Sequence, residues 1–112
     1  MRFSEYMDKI RGSKETQSAE MFIAESGYAA DCEYSPEEYL RAMRIIYAAG
    51  HNDIAELIRL AEMGQKGFAT YFDVPLRTVQ SWAASARKTT DMTSCLIGYA
   101  LLDIINKKEN DD

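Results

Sequence analysis

Gln65–Ala84, QKGFATYFDVPLRTVQSWAA, reads as two short helices joined by a tight turn. Phe68, Ala69 and Phe72 fall on one face of the first helix, and Leu76, Val79 and Ala83 recur at i, i+3 and i+7 on the second, so both stripes can share one core. Opposite the second stripe stand Arg77, Gln80, Ser81 and Ala84, again at helical spacing. That face turns a guanidinium fork, an amide and a hydroxyl toward solvent together.

Helices are also predicted on both sides of this stretch. Upstream, Asp53–Glu56 supplies a cap for a helix with Ile54, Leu57, Ile58 and Ala61 on its buried side, and Gly64 is its expected stop. Before it, Ser35-Pro36-Glu37-Glu38 places Ser at the N-cap, Pro at N1 and Glu at N3, predicting a helix to about Ala49 with a core stripe of Tyr39, Met43, Ile46 and Tyr47 and a stop at Gly50. Phe3, Tyr6, Met7 and Ile10 predict a short amphipathic helix that breaks at Gly12-Ser13, and Ala19, Phe22 and Ile23 another before Gly27, with 27–34 irregular. Downstream, Asp91 to about Lys107 forms a last helix whose apolar residues (Met92, Cys95, Leu96, Ile97, Tyr99, Leu101, Leu102, Ile104, Ile105) cover more than one face. The surplus needs a dimer seam or the docked N-terminal extension to cover it. Nothing alternates with a two-residue period, so the expectation is an all-α, compact helical bundle.

Composition bounds the function. A chain of 112 residues that is 46% hydrophobic can bury one modest core. Charge is uneven: residues 1–63 carry 7 basic and 12 acidic side chains, 64–90 carry 4 and 1, and 91–112 carry 2 and 5, within a net charge of −5. A phosphate backbone would therefore be held only by the local basic stretch, with binding that falls steeply as salt rises. The expected organisation is an acidic helical extension (1–50), a helical domain (51–106) and a polar tail (107–112).

Catalytic and metal chemistry find no constellation. His51, in Gly50-His51-Asn52-Asp53, is the one histidine, without a nucleophile elbow or a second imidazole, so it is assigned to a helix junction or to solvent. Cys32 and Cys95 are solitary and are expected to pack as small hydrophobes. No phosphate-cradling glycine loop occurs. An enzyme, a cofactor and a bound metal are not expected. Met1–Gly12 lacks a secretory pattern, and the longest apolar stretch, Cys95–Leu102, is too short to span a bilayer, so a reduced cytoplasmic location is expected and a membrane partner is not. Most of the tyrosines, concentrated in the acidic first half, are expected to pack with a wet hydroxyl.

The contiguous run Phe68-Ala69-Thr70-Tyr71-Phe72-Asp73-Val74-Pro75-Leu76-Arg77-Thr78-Val79-Gln80-Ser81-Trp82 resembles the helix-turn-helix of Cro/CI-type repressors, most closely the short phage and plasmid variety. The resemblance covers about residues 53–106. It departs at Asp73, where relatives carry Gly, and at Ser85-Ala86-Arg87-Lys88-Thr89-Thr90, where they read G-x-R-x-P-P.

The resemblance implies a sequence-specific regulator of double-stranded DNA, a repressor or autorepressor from a mobile genetic element, acting as a homodimer on an inverted repeat through a recognition helix at 75–85. Ala69, Phe72, Val79 and Trp82 would form the core of the motif. Arg77 would read guanine, Gln80 adenine, Leu76 a thymine methyl, and Ser81 and Ala84 neighbouring base edges. Gln65, Lys66, Thr78, Arg87 and Lys88 would hold phosphates. The alternative is a protein inhibitor of antitoxin or anti-CRISPR type: the acidic N-terminal half binds a protein partner while the helix-turn-helix autoregulates its operon.

Overall fold

In the computed structural model, residues 1–27, 34–85 and 89–110 are described, and all regular elements among them are helices. They are α1 (Phe3–Ser13), α2 (Ala19–Ser26), α3 (Pro36–Gly50), α4 (Ile54–Ala61), α5 (Gly64–Phe72), α6 (Leu76–Ala83) and α7 (Asp91–Asn110). The fold is all-α, and no helix of the described residues is long and apolar enough to cross a membrane.

Local chemistry sets the starts. Ser18 Oγ accepts from Met21 N at 3.2 Å, Ser35 Oγ from Glu38 N at 3.3 Å and Asp53 Oδ1 from Glu56 N at 3.2 Å, each meeting one amide that the helix leaves unpaired. Pro36 follows the Ser35 cap in the first turn of α3, where its missing N–H costs nothing.

Several stops differ from those expected. Gly50 is the last residue of α3, and the left-handed residue is Asn52, at φ 52°. Gly50 is needed for another reason: a Cβ there would collide with Ser13 Oγ and come within 3.2 Å of Ile10 O, so it lets the end of α1 lie on α3. Gly64 opens α5 at φ 73° rather than closing α4, which ends on left-handed Glu62. The break expected at Gly12-Ser13 falls at its second residue, where α1 ends, and α7 runs on to Asn110.

α3 is the spine. It packs against α1, α2, α4 and α7, and it buries Ala42, Ile45, Ala48 and Ala49 beyond the expected Tyr39, Met43 and Ile46, while Tyr47 is half-buried. The apolar residues of α7 lie against α3, with α4 and α1 beside it, while Met92 and Leu96 remain exposed. Gly98 makes this approach possible: a Cβ there would stand 2.6 Å from the Tyr6 hydroxyl and 2.8 Å from Ala49 Cβ. The Tyr6 hydroxyl is buried, not wet, and donates to Cys95 O at 2.6 Å. Burial pushes its phenol well above the ordinary range, the nearby Cys95 adding to the effect, so the hydroxyl remains a donor. Burial likewise raises the Cys95 thiol, a small packed group as expected; Cys32 lies outside the described residues.

Residues from both expected parts share one core, in which Tyr6, Ile10, Met43 and Ile46 lie together with Leu57, Phe68, Val79 and Leu102. His51 stands at the α3–α4 junction, stacked on Tyr47 at 4.1 Å between ring centroids, with Nε2 2.8 Å from Ser13 O. No group of three or more His, Cys, Asp or Glu able to hold a metal occurs among the described residues.

Candidate nucleic-acid interface

α5 and α6 pack on α4 and on each other, and among the described elements their backbones do not approach α3 or α7. The turn between them is built by hydrogen bonds. Asp73 takes the left-handed conformation (φ 53°, ψ 48°), Asp73 N donates to Thr70 O at 3.4 Å, and Val74 N reaches back to Ala69 O at 2.9 Å. These two bonds close the last carbonyls of α5 in a Schellman arrangement. Aspartate stands where the geometry favours glycine, at some cost in backbone strain.

Inside, Val79 is fully buried, Trp82 and Ala69 are buried, and Phe72 is half-buried, its ring 4.7 Å from that of Phe68. All four residues expected to anchor the motif therefore face inward. The outward face carries Leu76, Arg77 and Gln80 on α6 and Ala84 just past its end, all exposed. Leu76 is 38% exposed and belongs to this face, which corrects its place in the buried stripe. Trp82 lies inward as the core of the motif requires, with Ala83 of the expected stripe half-buried beside it. Ser81 and Thr78 are half-buried at the border of the face. The observed helix, Leu76–Ala83, is shorter than the expected 75–85, with Pro75 as its N-cap and Ser85 left-handed at φ 59°.

Gln65 and Lys66 are exposed in the first turn of α5. Arg87 and Lys88 lie outside the described residues. Thr70 was not among the expected contacts: it is exposed one turn beyond Lys66, and its hydroxyl donates to Lys66 O at 3.0 Å. The i, i+4 spacing from Lys66 was the available signal. Tyr71, also exposed, packs its ring edge-on against Phe72 at 5.0 Å.

Electrostatics separate this unit from its support. Over 64–85 the cations Lys66 and Arg77 face one carboxylate, Asp73. Arg59 of α4 is paired with Glu56, which holds its guanidinium above the ordinary range, so its charge is largely answered locally. Neither α5 nor α6 has a side chain bonded to its first-turn amides, a feature shared with α1 and not with α2, α3 and α4. Such amides point toward any anion that approaches along the helix axis. Among known proteins, no family model, no curated protein and no solved structure matches the chain.

Proposed function

We propose that the protein is a sequence-specific binder of double-stranded DNA, a repressor acting as a homodimer on an inverted repeat in the cytoplasm. The observation that carries the reading is the division of α6: Val79 and Trp82 are buried, while Leu76, Arg77, Gln80 and Ala84 share an exposed face. A helix held on one side and bare on the other can enter a major groove.

Arg77 then donates its fork to guanine O6 and N7, Gln80 pairs with adenine N6 and N7, and Leu76 meets a thymine methyl. Ala84 allows close approach, and Ser81 reaches a base edge or phosphate from the border. Gln65 and Lys66, with the open amides of α5, hold the backbone, joined by Thr78, Arg87 and Lys88. With a net charge of −5 the whole chain repels phosphate, so affinity rests on few contacts and declines steeply with salt.

Selection of bound duplexes from a randomised pool tests the reading. It should enrich one palindromic sequence, and Arg77→Ala should weaken the enriched duplex by about 1–3 kcal/mol and relax the preference at one position per half-site. A pool from which nothing is enriched at low salt would refute it.

A further inference from the structure

We infer that Arg41 is a positioning residue: a brace from the spine that fixes the direction in which α5 and α6 leave α4. The inference rests on the reading of α6 as the DNA-binding element for its functional meaning, and on geometry alone for the brace itself.

Arg41 projects from α3 onto the far end of α4. Its Nε donates to Leu60 O at 3.0 Å and its Nη2 to Ala61 O at 3.1 Å, while Nη1 lies 3.6 Å from a Glu62 carboxylate oxygen. A helix ends with four carbonyls that lack intrahelical partners. In α4, Arg59 O receives Glu62 N at 3.3 Å, and the next two carbonyls are closed by Arg41. The guanidinium is at home there, where the helix dipole is negative. Its side chain is only 16% exposed, against 41% for Arg44 and 66% for Arg59 in their ion pairs. Lost rotamer freedom is therefore already committed in the folded state, and removal would leave two carbonyls and Glu62 unanswered.

The brace matters because the chain turns sharply just beyond Ala61. The joint to α5 is Glu62-Met63-Gly64, with Glu62 at φ 57° and Gly64 at φ 73°, and α5 has no side-chain cap. Because α5 and α6 are carried by α4, a small rotation at this joint is carried through to α6. Arg41 ties the joint to the helix at the centre of the core.

Hydrogen exchange read by mass spectrometry on the full chain tests the brace. The comparison uses Arg41→Ala, Arg41→Lys and, as a variant weakened elsewhere on the spine, Ser35→Ala. In Arg41→Ala, amides of 62–85 should exchange at least about tenfold faster relative to those of α3 and α7 than they do in Ser35→Ala. Arg41→Lys, which keeps the charge and one donor direction, should fall between. If Arg41→Ala does not fold, Arg41→Lys carries the same comparison. Equal acceleration in every helix, or none at the joint, overturns the brace. Binding of the selected duplex should weaken about tenfold more in Arg41→Ala than in Ser35→Ala at equal folded fraction; equal weakening overturns the functional half. A parent chain that selects no duplex would refute the DNA reading and leave the exchange pattern to judge the brace.

Discussion

α3 and α6 are both amphipathic in sequence, yet α3 buries seven of its fifteen residues and α6 two of its eight. The difference lies in what surrounds them. α3 has neighbours on nearly every side, and small residues (Ala42, Ala48, Ala49, Gly50) let those neighbours come close. α6 has neighbours on one side only, so Arg77 and Gln80 keep their donors in solvent. Amphipathicity alone does not separate a spine from a presenting helix; the number of contacting layers does.

The largest expected effect strikes the spine. Gly98→Val forces a Cβ to within 3 Å of both the Tyr6 hydroxyl and Ala49 Cβ, where α7 lies on α3. It should lower unfolding free energy by about 3 kcal/mol, read as a shift in the denaturation midpoint. A shift worth under about 1 kcal/mol would mean that α7 can move off α3 cheaply, and the contrast between the regions would collapse.

Within α6 the contrast can be drawn across a single turn. Val79→Ala removes two buried methyls and should cost about 2 kcal/mol of stability, whereas Arg77→Ala should stay within about 0.5 kcal/mol. The order should invert for DNA affinity at matched folded fraction. Equal stability losses in thermal melts would argue that Arg77 holds the fold, and its place on a reading face would be lost.

A smaller effect separates the regions by pH. The Tyr6 phenol is raised above its ordinary value of about 10, so its contribution is fully present below pH 10 and declines as the unfolded chain begins to ionise above it. Tyr6→Phe should cost about 1 kcal/mol at neutral pH through the lost bond to Cys95 O, and should flatten the alkaline fall in stability. Parallel curves for parent and variant between pH 9 and 11 would contradict the burial of that hydroxyl.

Much of this was legible in the sequence. The caps at Ser35 and Asp53, and the division of 65–84 into two helices, follow from short-range chemistry that periodicity and side-chain type express directly. The roles of the glycines were less legible. Gly50 and Gly98 serve interhelical approach, with partners in α1 for Gly50 and in both α1 and α3 for Gly98, separations in sequence that no local pattern encodes. For the same reason the apolar face of α3 is wider than its periodicity suggests, and Leu76, at helical spacing from Val79, lies on the exposed side while Trp82 keeps its inward place. Arg41 gave no signal at all, because its partners, two backbone carbonyls of α4 and the Glu62 carboxylate, lie about twenty residues further along the chain.

The gentlest test acts on the turn itself. Asp73 holds φ 53° and ψ 48°, a region where an L-residue with a Cβ is strained, though aspartate tolerates it better than most. Asp73→Gly removes that strain but gives the unfolded chain more freedom, so the net gain should be only about 0.5 kcal/mol. The backbone bonds to Thr70 O and Ala69 O remain, which keeps α5 and α6 in register. The substitution also deletes the one carboxylate within 64–85, so affinity for DNA should rise modestly at low salt and the gain should fade as salt is added. A drop in stability would show that the Asp73 side chain, and not only its backbone, holds the turn. A drop in affinity at unchanged stability would place its carboxylate among the groups that choose the DNA sequence, as an acceptor for a cytosine amine, and would enlarge the reading face beyond α6.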